Sequence, residues 1–285
     1  PERRLQSPTI KTATKVAAPR KNMNQLQKIL ANKHKEIAER RTTDPLAAVR
    51  ARALNARVQP SLCKALRASP MGLIAEIKRK SPSAGSIREP FDAPAIAKAY
   101  AGAGVQGISV LMDEPYFGGG EADFTAVRKS VPVPLLYKEF VIDEWQIWHA
   151  ASLGASAVLL IAEALEPEQL RGFLVVCRDA RIEPLVEVHG EEEMRRVADL
   201  GVSCIGINNR DLRTFKVTLD TTFHLRELAP PGATVISESG ISSANDVARL
   251  KAAGVHAVLV GEHLLRQQDV GMAVRDVMSA VWASS

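Results

Sequence analysis

The sequence predicts a (β/α)8 barrel of the α/β class preceded by extra helices, and three observations carry that reading. Four segments repeat one pattern, a helix-ending glycine followed within two or three residues by an apolar strand: Gly104-VQGISVL, Gly154-ASAVLLI, Gly201-VSCIGIN and Gly254-VHAVLVG. Glycine just past a last helical turn takes the left-handed conformation that stops the helix. The strands that follow are apolar on both faces, as strands of a covered parallel sheet are. Filling the gaps between the repeats gives eight strand–helix units in about 210 residues, the size of such a barrel. The rival, an open doubly wound sheet, usually has fewer strands and a GxGxxG first turn, whereas the first strand here runs into Lys78-Arg79-Lys80-Ser81.

In chain order, residues 1–22 are basic, acid-poor and rich in Pro, Thr and Ala, a composition not expected to fold. They read as a disordered arm or the remnant of a transit peptide. Residues 1–41 hold 11 Lys/Arg against 3 Glu, so the net charge of +5 belongs to this arm and the rest of the chain is slightly acidic. That distribution argues against a nucleic-acid surface on the main domain. Residues 23–70 read as an extension of two or more helices (MNQLQKILANKHKEIAER, then DPLAAVRARALN), and residues 71–285 as the barrel. Strands are expected at 72–78, 107–111, 134–138, 157–161, 183–188, 204–208, 234–237 and 257–260. Helices follow at 92–103, 121–130, 144–153, 166–180, 190–200, 220–229, 243–253 and 270–281. Hydrophobic residues make up 46% of the chain, enough for a sizeable core. No apolar run reaches the roughly 18–20 residues that a membrane span needs. Three cysteines (Cys63, Cys177, Cys204) lack paired spacing, which fits a reducing compartment and indicates neither a disulfide frame nor a zinc site.

In such barrels the C-terminal ends of the strands and the loops after them form the active face. Polar residues collect there. Strand one gives Glu76 and Lys78, which are i and i+2 and share one side of the sheet. Strand three ends in Lys138, strand five gives Glu187, and strand six gives Asn208, Asn209 and Arg210. Strand seven ends in Glu238-Ser239-Gly240 and strand eight in Gly261-Glu262. A single charged residue at a strand end is ordinarily solvated or paired. Glu76 and Glu187, however, sit inside apolar strands, where an unpaired carboxylate costs several kcal/mol. At least five strands aim ionisable groups at one end, so the set outweighs its members. Small residues after strands seven and eight suit a phosphate, because backbone N–H groups can face the anion there. His189 and His263 lie near strand ends without a partner at metal-ligand spacing, so no metal site is expected. Tyr116-Phe117-Gly-Gly-Gly120 reads either as a cover for an apolar ligand or as rim packing, and Trp145 and Trp148 as helix packing.

The motifs IAEIKRKSPSAG, DEPYFGG, LLYKEFVID, AVLLIA, PLVEVH, IGINNRDL, ISESGI and VLVGEHL, in this order, resemble the indole-3-glycerol phosphate synthase family of tryptophan biosynthesis. The resemblance runs from about residue 23 to 280. It implies a (β/α)8 barrel with a helical extension over the active-site mouth. It also implies conversion of 1-(2-carboxyphenylamino)-1-deoxyribulose 5-phosphate to indole-3-glycerol phosphate, CO2 and water, without cofactor or metal. By resemblance Lys138 is a general acid and Glu187 a general base. Lys78 stands between phosphate and reacting centre as a candidate acid for a later step, the sequence not fixing which lysine protonates in which step, and Glu76 orients and balances the lysines. Neighbouring cations and burial are expected to lower a catalytic lysine toward neutral pH. Counted with the catalytic set, Asn208 corresponds to a polar group holding the substrate's hydroxyls or carboxylate and Glu238 and Ser239 to residues near the sugar hydroxyls, while Arg210 corresponds to a residue near the substrate carboxylate. Ser81, Gly240, Gly261 and Glu262 fall with Lys78 in the phosphate site, Glu262 through its backbone N–H. Phe117, Phe140, Leu159, Ile161 and Leu212 wall the apolar pocket, while Arg79 and Lys80 are peripheral. Relatives commonly carry Thr where this chain has Met112, a position expected beside the reaction centre. The isomerase of the same pathway uses a Cys near the end of strand one, where this chain has none. The resemblance implies a cytoplasmic monomer, or a plastid-stromal one if residues 1–22 are a transit remnant. Its partner is the small phosphorylated substrate, with only weak association with other tryptophan-pathway enzymes and no membrane or nucleic acid.

Overall fold

Eight parallel strands close into a barrel in a computed structural model that describes residues 23–82, 85–211 and 216–282. The basic arm (residues 1–22) and Leu212 lie outside the described residues. The strands are β1 (Gly72–Ile77), β2 (Gly107–Leu111), β3 (Leu135–Lys138), β4 (Ala157–Ile161), β5 (Glu183–Val188), β6 (Cys204–Asn208), β7 (Thr234–Glu238) and β8 (Ala257–Val260). Each pairs with its neighbours in sequence, and β1 closes the ring on β8 with Gly72 opposite Ala257. Helices α1 (Gln25–Thr43), α2 (Leu46–Asn55) and α3 (Leu62–Arg67) precede the barrel. Around it run α4 (Ala93–Gly102), the short α5 (Glu114–Phe117), α6 (Glu121–Ser130), α7 (Glu144–Ser152), α8 (Pro167–Asp179), α9 (Glu191–Ala198), α10 (Asp220–Leu228), α11 (Ala244–Ala252), the short α12 (Glu262–Leu265) and α13 (Val270–Trp282). Strand and crossover-helix ends differ from the sequence expectation by no more than two residues. The four repeat glycines are all left-handed helix stops, with φ from 65° to 92°.

Strand alternation sorts the side chains into two cores. Ile74, Leu136, Leu159, Leu185, Cys204, Ile236 and Leu259 fill the barrel. Leu73, Ala75, Ile77, Ile108 and Val110 point outward into the layer under the helices. Met112 continues that outward series and is buried in it, while Leu111 faces the interior pocket. The sequence reading had put Met112 beside the reaction centre. The period of two turns it away from the site.

The extension divides its labour. An Asn24–Gln27 capping box starts α1, which reaches the mouth of the barrel with Leu26 and Ile29. The second helix, α2, lies along α7, with Arg50 over the Trp148 ring and the Trp145 indole donating to the Asp44 carbonyl at the α1–α2 junction. Both tryptophans are packing residues, as expected. The third, α3, closes the opposite end of the barrel. Its Leu62 and Leu66 are fully buried there, each worth about 1.5–3 kcal/mol. Glycines make this plug fit, since a Cβ on Gly107 would stand 2.5 Å from Leu62 Cδ1 and one on Gly72 2.8 Å from Leu66 Cδ2. The Glu183 carboxylate at the start of β5 accepts from Cys63 N (3.0 Å) and the Ser61 hydroxyl, pinning the N-terminus of α3.

Candidate active site

The barrel interior is built in layers of four side chains from alternate strands, normally branched and apolar. At the C-terminal end the odd strands instead supply Glu76, Lys138, Glu187 and Glu238. The Lys138 ammonium lies 3.1 Å from Glu187 Oε2 and 2.7 Å from Glu238 Oε2. One turn of pleat beyond Glu76, Lys78 reaches back to its Oε1 at 2.7 Å. The three carboxylates are almost wholly buried. The even strands make room for them. A Cβ on Gly206 would stand 2.0 Å from Glu238 Oε1, and one on Gly261 2.7 Å from Glu76 Oε1.

Burial works against charge at every one of these groups, and the cluster decides which stay charged. Burial favours a neutral Lys138, but Glu187, Glu238 and Glu76 outweigh it and hold the ammonium well above the usual lysine range. The expectation of a lysine lowered toward neutrality is therefore corrected for the free protein. The nearest charges to Lys138 are carboxylates, not cations. Burial likewise opposes ionisation of Glu187, yet Lys138, His189 and an Asn208 hydrogen bond hold it down to about 2. Glu76 is lowered too, Lys78 and Lys138 overcoming its burial. Burial wins at Glu238, which is pushed up to about 8 against Lys138 and with the help of Glu187's charge. The free cluster thus pairs a firmly held ammonium with low-lying Glu76 and Glu187 and with a Glu238 that holds its proton far more readily than an ordinary carboxyl.

Two cavities with shared lining residues stand over this layer. One, about 140 Å³, is walled by Leu111, Phe117, Phe140, Leu159 and Ile161, with Lys138 and Glu187 at its floor. Four of the five residues expected in the apolar wall line it, the fifth, Leu212, lying outside the described residues, and the Phe117 ring faces Phe140 at 6.1 Å. The other, about 90 Å³, is lined by Lys78, Arg210, Ser239, Gly240, Gly261 and Glu262 among others. Ser81 joins Lys78, Arg210 and Glu262 at the mouth under Leu26 and Ile29. Ser239 and Gly240 both adopt positive φ, 66° and 78°, and for the serine that is a strained conformation of the kind concentrated at functional sites. The Glu262 carboxylate is paired with Arg266 at 2.9 Å. Asn208 Oδ1 accepts from Arg210 N at 3.0 Å and orders the start of the β6 loop. Arg79 pairs with Asp123 and lies over Phe91, outside the site. A larger cleft of about 540 Å³ between α11 and α13 holds none of the strand-end acids or lysines. Among the described residues no group of three His, Cys, Asp or Glu is placed to hold a metal ion, and no helix is long and apolar enough to cross a membrane.

Sequence reasoning missed several residues here. Gly206 acts by the space it leaves and Leu111 by its inward face, while Gly261, expected for the phosphate, also leaves the space beside Glu76. His189 was noted only as a non-ligand, yet its Nε2 stands 3.3 Å from Glu187 Oε1. Lys33 on α1 is fully buried beside Asp113 and Glu139. Burial, with Asp113 adding to it and Lys33 opposing, raises Glu139 to about 7. A signal existed for Lys33, because it stands with Leu26, Ile29 and Ile37 on the apolar stripe of its helix.

Comparison with known proteins identifies the family. Residues 26–277 match the family model described as indole-3-glycerol phosphate synthase. The enzyme of that name from Geobacillus thermodenitrificans is 46% identical over 250 residues, covering 87% of this chain and 95% of the relative. The one from Roseiflexus sp. is 42% identical over 261 residues, covering 88% and 97%. Among solved structures, 3-hexulose-6-phosphate synthase from Salmonella typhimurium superposes with a TM-score of 0.61 at 13% identity, over 75% of this chain and all of that one, which speaks to the barrel alone. On the family model and on relatives matched along nearly their whole length, this chain belongs to the indole-3-glycerol phosphate synthase family of carboxy-lyases.

Proposed function

We propose that Lys138 and Glu187 are the general acid and general base with which this barrel performs its family's ring closure in tryptophan biosynthesis. The substrate is 1-(2-carboxyphenylamino)-1-deoxyribulose 5-phosphate; the products are indole-3-glycerol phosphate, CO2 and water. One observation carries the assignment: the Lys138 ammonium sits between two buried carboxyl groups and lines both an aromatic-walled cavity and the glycine-lined one beside it.

The ring carbon bearing the carboxylate attacks the ribulose C2 carbonyl, and Lys138 gives a proton to the carbonyl oxygen, which becomes a hydroxyl. The bond to the carboxylate then breaks, releasing CO2 and returning its electron pair to the ring. The hydroxyl takes a second proton, from Lys78, and leaves as water. Glu187 removes a proton from C1, which closes the indole double bond. Two protons are given and one is taken, so one proton enters per turnover in place of the lost carboxylate charge. Glu187 is a weak base while Lys138 is charged beside it. Once Lys138 has given up its proton, the attraction holding Glu187 down disappears, and the base strengthens at the step that needs it.

The remaining residues hold the substrate. Phe117, Phe140, Leu159 and Ile161 enclose the anthranilate ring, and the family resemblance assigns Leu212 to the same wall. The planar fork of Arg210 suits the substrate carboxylate. Asn208, Glu238 and Ser239 take the sugar hydroxyls, and Glu76 holds Lys78 in place. Lys78, Ser81 and the backbone at Gly240, Gly261 and Glu262 take the phosphate. On this reading the enzyme works as a cytoplasmic monomer, or in a plastid stroma if residues 1–22 are a transit remnant, with weak association with other enzymes of the pathway. The test is a steady-state assay with the carboxyphenylamino-deoxyribulose phosphate, following indole-product fluorescence without added metal and again with EDTA. Equal rates are expected. No product from folded protein, or loss of activity in EDTA, would refute the reading.

A further inference from the structure

Lys33 lies on α1, off the barrel, yet its ammonium is fully buried. It stands 3.0 Å from Asp113 Oδ2, 2.9 Å from Glu139 Oε2 and 2.8 Å from Glu36 Oε2. A buried ammonium is tolerated only when it is paired this closely. The two barrel carboxylates each bind Lys33 with one oxygen and a pocket-wall segment with the other. Asp113 Oδ1 accepts from Tyr116 N at 2.8 Å and caps α5, whose last residue is Phe117. Glu139 Oε1 accepts from Phe140 N at 2.8 Å. One ammonium therefore fixes, through two carboxylates from neighbouring strand ends, the backbone under both facing rings. Leu26 and Ile29, on the same face of α1, close the cavity beside those rings.

We propose that Lys33 is a positioning residue for the substrate's aromatic ring: it sets the spacing of Phe117 and Phe140 and ties the seating of α1 to the width of the slot between them. The inference rests on reading Phe117 and Phe140 as the walls of the anthranilate pocket. It makes the extension part of the specificity apparatus, with Lys33 acting through Asp113 and Glu139 rather than by touching substrate. Losing this tie removes binding that ground state and transition state share, so it raises KM more than it lowers kcat.

The test compares wild type with Lys33→Met in full-length protein. Lys33→Met strands two buried carboxylates and can unfold the chain, so the same measurement is made in K33M/D113N/E139Q, which buries no unpaired charge there. In whichever of these folds, KM for the carboxyphenylamino-deoxyribulose phosphate is expected to rise about tenfold, the scale of one aromatic contact, with kcat changed less than about threefold. A lowered Tm with unchanged KM would make Lys33 purely structural and overturn the proposal. Phe117→Ala and Phe140→Ala separate the two readings. If neither raises KM, the pocket assignment itself fails. If both do and the Lys33 variants do not, only the role of Lys33 falls.

Discussion

Replacing Gly206 by alanine adds one carbon to the floor of the site, at a position where the strand backbone accepts any residue. The new Cβ would stand 2.0 Å from Glu238 Oε1 and 3.1 Å from its Cδ, against ordinary carbon contacts of about 3.5 Å. The carboxylate must move by more than an ångström, and its 2.7 Å pairing with Lys138 is the contact that gives way. Overpacking of a filled interior costs about 1–3 kcal/mol. Expressed at the transition state, that is a fall in kcat of about 5- to 150-fold. The assay is steady-state turnover followed by indole fluorescence, with circular dichroism to show that the barrel is intact. Glu238→Ala provides the control. With the carboxylate gone the clash is gone, so adding Gly206→Ala to Glu238→Ala should cost less than about twofold. Folded Gly206→Ala with kcat within about twofold of wild type would refute the reasoning.

Two further predictions concern pH and Met112. As pH rises through about 8, Glu238 in the free protein gives up its proton and adds a negative charge beside Lys138, which then holds its own proton more firmly. Therefore kcat/KM should fall through about pH 8, and Glu238→Gln should remove that limb from the pH profile; an unchanged limb in the variant would contradict the assignment. Met112→Thr should lower stability by about 2 kcal/mol or more, because a buried side chain in the layer under the helices is shortened and a hydroxyl buried. It should leave kcat within about twofold, and denaturant melts together with turnover check both halves.

Much of the barrel was legible because its signals are local. Helix-stop glycines, doubly apolar strands and polar strand ends all fall within a few residues of one another, so β1 to β8 and the acids and lysines at their ends follow from pattern alone. The misreadings share one physical cause, which is that contacts across strands depend on register and facing. Met112 is next to a pocket residue in the chain, but the alternation turns it outward. The direction of the Lys138 shift depends on three carboxylates from other strands meeting one ammonium, an arrangement no single segment displays. Gly206 carries no chemistry of its own and acts only through the space it leaves for Glu238, and the room Gly261 leaves for Glu76 is equally invisible in the sequence. Lys33 was visible as a cation on an apolar stripe, but its two barrel partners are 80 residues or more away in the chain, at the ends of β2 and β3.

The most direct test of the central claim is single-turnover chemistry in Lys138→Met, with substrate binding measured in the same samples. The account predicts a rate at least about a hundredfold below wild type, the usual scale for a general acid, with the substrate still bound. Near-wild-type turnover in a folded Lys138→Met would contradict it and move the proton donor elsewhere in the cluster.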